Sequence, residues 1–121
     1  MDPRHQERIK IIQNLYSQTF NNVSDNLPYP EDSDTQEIIK QTKKIDEDIK
    51  KYAPKFPLEK ITKTDLAILR WAVFELTIKR LPPKVVINEA VELAKELSSE
   101  RSFAFVNAVL GKVLENYAQK N

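Results

Sequence analysis

A single glycine, Gly111, occurs among the 121 residues of this chain. Loops that cradle phosphate groups need several glycines, because the backbone must approach the ligand closely. The chain therefore cannot build such a loop. Its apolar residues recur instead at steps of three and four, which is the spacing of one face of an α-helix. In the first segment this stripe comprises Ile9, Ile12, Leu15, Tyr16 and Phe20. The pattern predicts an all-α fold.

Capping residues and prolines divide the chain into five predicted helices. The first begins at Pro3, behind a cap at Asp2, and ends at Asn21. The other four are predicted from Ser33 or Asp34 to Tyr52, from a cap at Thr62 or Thr64 to Arg80, from Pro83 to Leu97, and from Ser98 and Ser99 onwards with an apolar stripe that reaches Tyr117. Residues 21–34 are predicted to form a loop, and residues 56–61 add a further turn if they fold locally.

The third predicted helix differs from the others, because apolar residues surround most of its axis. They are Leu66, Ile68, Leu69, Trp71, Val73, Phe74, Leu76 and Ile78. A helix of this kind is central and largely buried. Arg70 and Glu75 lie within it, so each needs a partner or a route to solvent. The second predicted helix carries one apolar stripe between charged faces and is expected to be partly solvated.

Composition limits the class of protein. Apolar residues make up 40% and charged residues 31% of the chain, which indicates one folded domain and not a disordered segment. The absence of cysteine excludes disulfides and thiolate metal sites and fits a cytoplasmic protein. The pattern predicts neither an apolar leader in the first ten residues nor a membrane-spanning stretch. The net charge of +1 means that any nucleic-acid binding must use a local patch.

Catalytic residues cannot be assembled from this sequence. His5 is the only histidine, and it is predicted to be a surface residue near the chain end. Asn88 and Glu89 are expected to cap or bridge helices, and the acidic residues 46–48 splay around their helix and make no metal site. The chain is therefore predicted to be a binding protein without a cofactor and not an enzyme.

Four segments carry a family resemblance. They are RIKIIQNLYSQTF at residues 8–20, TDLAILRWAVFEL at 64–76, PPKVVINEAVELAKEL at 82–97 and SFAFVNAVLGKVL at 102–114. Together they resemble the NusB family of transcription antitermination factors over nearly the whole chain. The resemblance implies that residues 1–121 form a single domain, an all-α NusB-like bundle of five to seven helices in two helical subdomains packed across each other.

The resemblance also implies a function. Such a protein binds a single-stranded leader RNA element called boxA, pairs with the ribosomal protein NusE, and acts on transcribing RNA polymerase, notably at ribosomal RNA genes. A related domain precedes an rRNA cytosine methyltransferase, but a chain that ends at Asn121 leaves no room for that enzyme, which favours the free-standing factor. The alternative is a protein-interaction module of the same fold that has lost most RNA binding, because the net charge is nearly neutral.

The candidate RNA-binding residues are cations for phosphates and rings for bases. By resemblance they are Arg4, Arg8, Lys10, Tyr52, Arg101 and Phe105. Family members often carry more arginine in the first helix, and the usual KFVNG motif reads AFVNA at residues 104–108. Phe103 and Phe105 lie two apart on a helix and point in different directions. We expect one ring to be exposed near Arg101; the alternative is that both are core.

The candidate protein-partner surface lies on the first helix. Tyr16 and Phe20 are one turn apart there, and the resemblance implies that this edge meets NusE together with Thr64 and Asp65 at the start of the third helix. A tyrosine and a phenylalanine at this spacing are also typical of a helix face that packs on the core, and that interpretation stays open at this point.

Overall fold

The computed structural model describes the backbone of residues 2–21 and 26–120 and the side chains of residues 2–20, 26–99 and 101–116. The side chain of Tyr117, which the sequence placed in an apolar stripe, lies outside this set. The described chain forms six helices and no strand: α1 (Pro3–Asn21), α2 (Ser33–Lys40), α3 (Thr42–Tyr52), α4 (Lys63–Thr77), α5 (Pro83–Leu97) and α6 (Glu100–Lys120), with a 3-10 turn at Leu58–Lys60 between α3 and α4. The predicted all-α fold is confirmed.

Two helices begin and end where the sequence predicted, because their ends carry strong local signals. At the start of α1 the Asp2 side chain accepts a hydrogen bond from the Arg4 backbone N–H at 2.9 Å, and Pro3 occupies the first helical position. At the start of α5, Pro83 follows Pro82 and again occupies a first-turn position, where its missing N–H costs nothing.

The predicted second helix is wrong in one respect, since it is two helices that meet at Gln41. The Gln41 N–H is shared between the carbonyls of Glu37 and Ile38, each at 3.1 Å. The Thr42 hydroxyl also donates to the Ile38 carbonyl at 3.0 Å. A threonine that bonds the carbonyl four residues earlier competes with the helix and bends it. The break allows Ile38 of α2 and Ile45 of α3 both to be buried.

Helix α4 is the central element, as predicted. It packs against α1, α3, α5 and α6, and α5 packs in turn against α6. Thr62 caps α4 by accepting the Asp65 N–H at 3.2 Å. The helix ends at Thr77, three residues before the predicted end, because the chain then reverses through Arg80 at a φ of 57°. Trp71, at 1% exposure, is the largest of the fully buried side chains.

The two charged residues of α4 are satisfied unequally. Arg70 donates from Nε and Nη2 to the two carboxylate oxygens of Asp46 on α3, each at 2.9 Å. Glu75 is only 4% exposed, and its Oε2 has no hydrogen-bond partner. Burial therefore raises the pKa of Glu75 above its ordinary value. The bidentate pair links α3 to α4, whereas the burial of the Glu75 carboxyl group with an unpaired oxygen destabilises the folded state.

Candidate functional site

The cations of α1 were predicted to form one RNA-binding group, but the structure gives them different surroundings. The Arg4 side chain is 81% exposed, and its nearest carboxylate is that of Asp2 at 3.6 Å. The Lys10 side chain is 43% exposed and lies 3.3 Å from a carboxylate oxygen of Glu7. Arg4 is thus the cation of α1 most open to an incoming phosphate.

Arg8 has a different environment, since its side chain is only 19% exposed. Its guanidinium lies 3.5 Å from Oε2 of Glu89 on α5 and 5.8 Å from the centroid of the Trp71 ring on α4. A guanidinium held over an aromatic face and beside a carboxylate stabilises helix packing. Arg8 therefore links three helices. This packing role is sufficient to account for a basic residue at position 8 without any RNA contact.

His5 is also part of this link, which the sequence did not indicate. Its Nδ1 bonds Oε1 of Glu89, and its Nε2 bonds Oε2 of Glu96 at 2.7 Å, so both nitrogens face carboxylates of α5. The hydrogen bonds to Glu89 and then to Glu96 raise the pKa of His5. His5 is partly exposed at the surface, but it is paired with two carboxylates because α5 packs beside the start of α1. The prediction that Glu89 bridges helices is confirmed.

Phe103 and Phe105 on α6 do not divide into one buried and one exposed ring. Phe103 and Phe105 are both partly buried against the edge of the core. The Phe105 ring lies 5.0 Å from the Phe56 ring, centroid to centroid, at an interplanar angle of 69°. The Phe103 ring has the ammonium of Lys95 at 5.1 Å. The expected exposed ring is therefore absent from α6 at these two positions, and the exposed member of the pair is Phe56, at 50%.

The other candidate RNA residues adjoin this aromatic pair in different ways. Arg101 is exposed and lies one turn before Phe105 on α6. Tyr52 is partly buried at the end of α3, and the Lys51 ammonium lies 5.4 Å from its ring. Helix α3 packs against α6, and Phe56 follows Tyr52 by four residues. Sequence reasoning missed Phe56, although an aromatic residue between Pro54 and Pro57 in a polar loop was a usable signal.

The candidate partner surface is exposed, so the interpretation of Tyr16 and Phe20 as core residues is wrong. Tyr16 is 42% and Phe20 is 55% exposed, and their rings pack edge to face at 4.9 Å. They border a groove of about 790 Å³. Its wall is completed by Ile12, Gln13, Ser17, Pro28, Thr64 and Leu97. The Lys63 ammonium lies 4.9 Å from the Phe20 ring, which places a cation at the rim.

Of the two α4 residues assigned to this surface, only Thr64 reaches it. Asp65 is 5% exposed, and its Oδ1 has no hydrogen-bond partner. It lies in the first turn of α4, where the positive end of the helix dipole favours a carboxylate. Its placement on the partner surface was therefore wrong, because the local helix geometry turns the side chain inwards.

Two absences among the described residues limit the chemistry. Among the described side chains of residues 2–20, 26–99 and 101–116, no three His, Asp or Glu are arranged to hold a metal ion. Over the same ranges, none of the helices has both the length and the apolar character that crossing a bilayer requires.

The fold and the exposed groups define a class: a helical module that presents rings and cations at its surface for binding. Residues 4–115 match the family described as the NusB family, and the chain belongs to that family. The transcription antitermination protein NusB of Lactiplantibacillus plantarum is 38% identical over 134 aligned residues, which cover 95% of this chain and 96% of the relative. That of Acetivibrio thermocellus is 46% identical over 79 residues, covering 64% and 54% of the two chains.

Two solved structures share the fold of this chain. NusB of T. maritima superposes with a TM-score of 0.78 at 27% identity, covering 94% of this chain and 92% of the other. A chain in the crystal structure of a plectonemic RNA supercoil superposes at a TM-score of 0.81 and 20% identity over all of both chains, a likeness of fold. The chain is therefore a member of a family of transcription antitermination factors, and the prediction that it is not an enzyme is confirmed.

Proposed function

We propose that this chain is a transcription antitermination factor that binds boxA-like single-stranded leader RNA jointly with the ribosomal protein NusE. The complex acts in the cytoplasm on transcribing RNA polymerase, notably at ribosomal RNA genes. The observation that carries the proposal is the presence of two exposed surfaces built from different residues. One is the Tyr16–Phe20 groove, and the other comprises Arg101 and Phe105 on α6; Arg4 is a further exposed cation on α1.

The groove has the properties of a protein-binding surface. Exposed aromatic residues beside a concave apolar wall are the side chains that contribute most at protein interfaces. Phe20 exposes more than half of its surface in the unbound chain, so burial by a partner would be favourable. The proposed occupant is NusE, and the Lys63 ammonium at the rim would favour an acidic residue on it.

The second surface has the chemistry of an RNA contact. Arg101 is exposed one turn from Phe105, so a phosphate and a base of one strand can be engaged together. Tyr52 supplies a further ring at the neighbouring end of α3, and Lys10 supplies a partly exposed cation on α1. Arg8 contributes through packing, because Glu89 and Trp71 already hold its guanidinium.

A titration tests both surfaces with the same protein. We would measure the affinity for a labelled boxA-like RNA and for a scrambled RNA of equal length, with and without NusE, at fixed salt. We expect tighter binding of the boxA-like RNA and a gain on adding NusE. Arg101→Ala should weaken RNA binding, whereas Lys40→Ala, which removes an exposed cation of α2, should not. No preference over the scrambled RNA, with NusE present, would contradict the proposal.

NusE binding is tested separately. Phe20→Ala should weaken NusE binding by about 30-fold, the effect of losing about 2 kcal/mol at an interface hot spot. Val85→Ala is the matched control, because Val85 is a 51% exposed apolar side chain outside the groove. Equal NusE affinity of the two variants would exclude the groove as the NusE surface.

One observation favours the alternative of an interaction module with little RNA affinity. Arg8 is held by Glu89 and Trp71, which leaves fewer free cations on α1 than the sequence suggested. That alternative predicts NusE binding together with an RNA affinity that hardly changes with salt. The antitermination factor instead predicts a salt slope that falls by about 0.7 for each phosphate-binding cation removed, as in Arg4→Ala and Arg101→Ala.

A further inference from the structure

Phe56 is an exposed aromatic residue in a constrained turn. It lies between Pro54 and Pro57 in the segment that joins α3 to the 3-10 turn, and its N–H donates to the Ala53 carbonyl at 3.0 Å. Proline has a fixed φ, so the flanking backbone has few alternative conformations to lose on binding. Half of the Phe56 surface remains exposed in spite of this constraint. The ring is therefore presented to solvent in a defined position.

The contact between Phe56 and Phe105 leaves ring faces free. The two planes are inclined at 69° with centroids 5.0 Å apart, which is the edge-to-face arrangement. In such a pair the edge of one ring points at the face of the other, so the partner covers at most one face. Phe105 is partly buried against the core, whereas Phe56 is exposed. The ring that is open to a stacking ligand is thus chiefly that of Phe56.

Cations border this pair along α6. Arg101 precedes Phe105 by four residues and Lys112 follows it by seven, spacings that place all three on one face of the helix. At about 1.5 Å per residue the two cations are about 16 Å apart along the axis. Both are exposed, and residues 101–112 contain no Asp or Glu. Ala108 is exposed between them, and its small side chain allows a close approach.

We propose that Phe56 and Lys112 extend the RNA-binding surface: the Phe56 ring stacks on a base, and the Lys112 ammonium contacts a phosphate of the same single strand. Residues 101–112 carry two exposed cations and no Asp or Glu, which favours a polyanion, and the aromatic rings beside them favour one that carries bases over an acidic peptide. The inference rests on the proposed function in that it adds residues to the same surface as Arg101 and Phe105.

Three substitutions at one position separate stacking from other roles. Phe56→Leu keeps an apolar side chain but removes the aromatic face, Phe56→Ala removes both, and Phe56→Trp retains a face. We expect the first two to weaken RNA binding by about 5- to 150-fold, the range for loss of one stacked base, and the third to stay within about threefold of the wild type. Lys112→Ala should weaken binding and lower the salt slope by about 0.7.

The controls use the same assay. Val85→Ala changes an apolar residue with 51% exposure at the start of α5, outside both surfaces, and should leave the RNA affinity of the chain alone unchanged. Circular dichroism and thermal unfolding establish that each variant folds. The RNA ligands are a boxA-like strand and an oligouridine of equal length, because base stacking tolerates different sequences.

The outcomes separate this inference from the proposed function. If the wild type prefers boxA-like RNA and Phe56→Leu binds it equally well, the Phe56 inference is overturned and the antitermination proposal stands. If neither RNA is preferred but Phe56→Leu and Lys112→Ala both weaken oligouridine binding, the surface is supported and boxA recognition fails. If Phe56→Leu and Lys112→Ala lose NusE binding while their RNA affinity is unchanged, the surface around Phe56 is a protein interface and the inference is overturned. Absence of any RNA binding by the wild type would also overturn the inference.

Discussion

Replacing Asp46 by alanine leaves the Arg70 guanidinium without its carboxylate in a poorly solvated place. The Arg70 side chain is 11% exposed and that of Asp46 is 19% exposed. Two hydrogen bonds of 2.9 Å, both between charged groups, are lost together. At about 1.5 kcal/mol each they amount to about 3 kcal/mol, the lower end of what breaking a buried ion pair costs. We therefore expect Asp46→Ala to lower the free energy of unfolding by about 3 kcal/mol.

The loss is large relative to the stability of a domain of this size, which is about 5–15 kcal/mol. It corresponds to a fall in Tm of about 12 °C, since a chain of this length loses about 4 °C per kcal/mol. Urea unfolding at pH 7, followed by circular dichroism, measures the free energy, and thermal unfolding measures Tm. A double-mutant cycle with Arg70→Ala gives the coupling energy of the pair, which we expect to exceed about 1.5 kcal/mol.

Glu37→Ala is the matched control. Glu37 forms an ion pair with Lys40 at 3.8 Å on α2, but the two side chains are 53% and 72% exposed. An exposed pair of this kind contributes only about 0.2–1 kcal/mol. The reasoning fails if Asp46→Ala lowers the free energy of unfolding no more than Glu37→Ala does, or if the cycle gives a coupling energy below about 0.5 kcal/mol. Either result would show that burial does not strengthen the Arg70–Asp46 pair.

Three further predictions concern single side chains. Glu89 and Glu96 raise the pKa of His5, so the contribution of His5 to stability is complete below pH 6.5 and is lost as the pH rises through the folded-state pKa. His5→Ala should therefore lower Tm more at pH 6 than at pH 9. Equal losses of Tm at the two pH values would contradict this. Burial raises the pKa of Glu75, so the folded state loses stability as the pH rises above 4.5. Glu75→Gln should be more stable than the wild type in urea at pH 7 and similar to it at pH 4. A gain of the same size at both pH values would show that ionisation of Glu75 is not the cause. Gly111 lies inside α6, and among the described residues no neighbouring group comes within 4 Å of the point that a Cβ atom would occupy there. Gly111→Ala should therefore raise the free energy of unfolding by about 0.5–1 kcal/mol. A lower free energy of unfolding would show that the site is less open than the structure indicates.

Local signals in the amino-acid sequence were sufficient for most of the secondary structure. The bounds of α1 and α5 follow from prolines at their first positions, and the central burial of α4 follows from apolar residues around its whole axis. Such features depend on residues within about four positions of each other, the range of helical hydrogen bonds and caps. The break at Gln41 was missed because the Thr42 hydroxyl selects one of two locally allowed hydrogen-bond patterns.

The candidate site was predictable in part. The positions of Tyr16, Phe20, Arg101 and Phe105 came from spacing and from the family resemblance, but their exposure did not. A stripe of apolar residues at helical spacing marks a face without stating how much of that face a neighbouring helix covers. Tyr16 and Phe20 extend beyond the covered part and remain exposed, whereas Asp65 turns inwards.

The sequence did not indicate which distant residues contact each other. His5 and Glu89 are 84 residues apart, and Phe56 meets Phe105 only because the turn after α3 lies against α6. Periodicity shows that helices form and which faces are apolar, since both depend on near neighbours along the chain. Which helix covers which face depends on how the helices pack together, and that packing holds the Arg8 guanidinium beside Glu89 and Trp71.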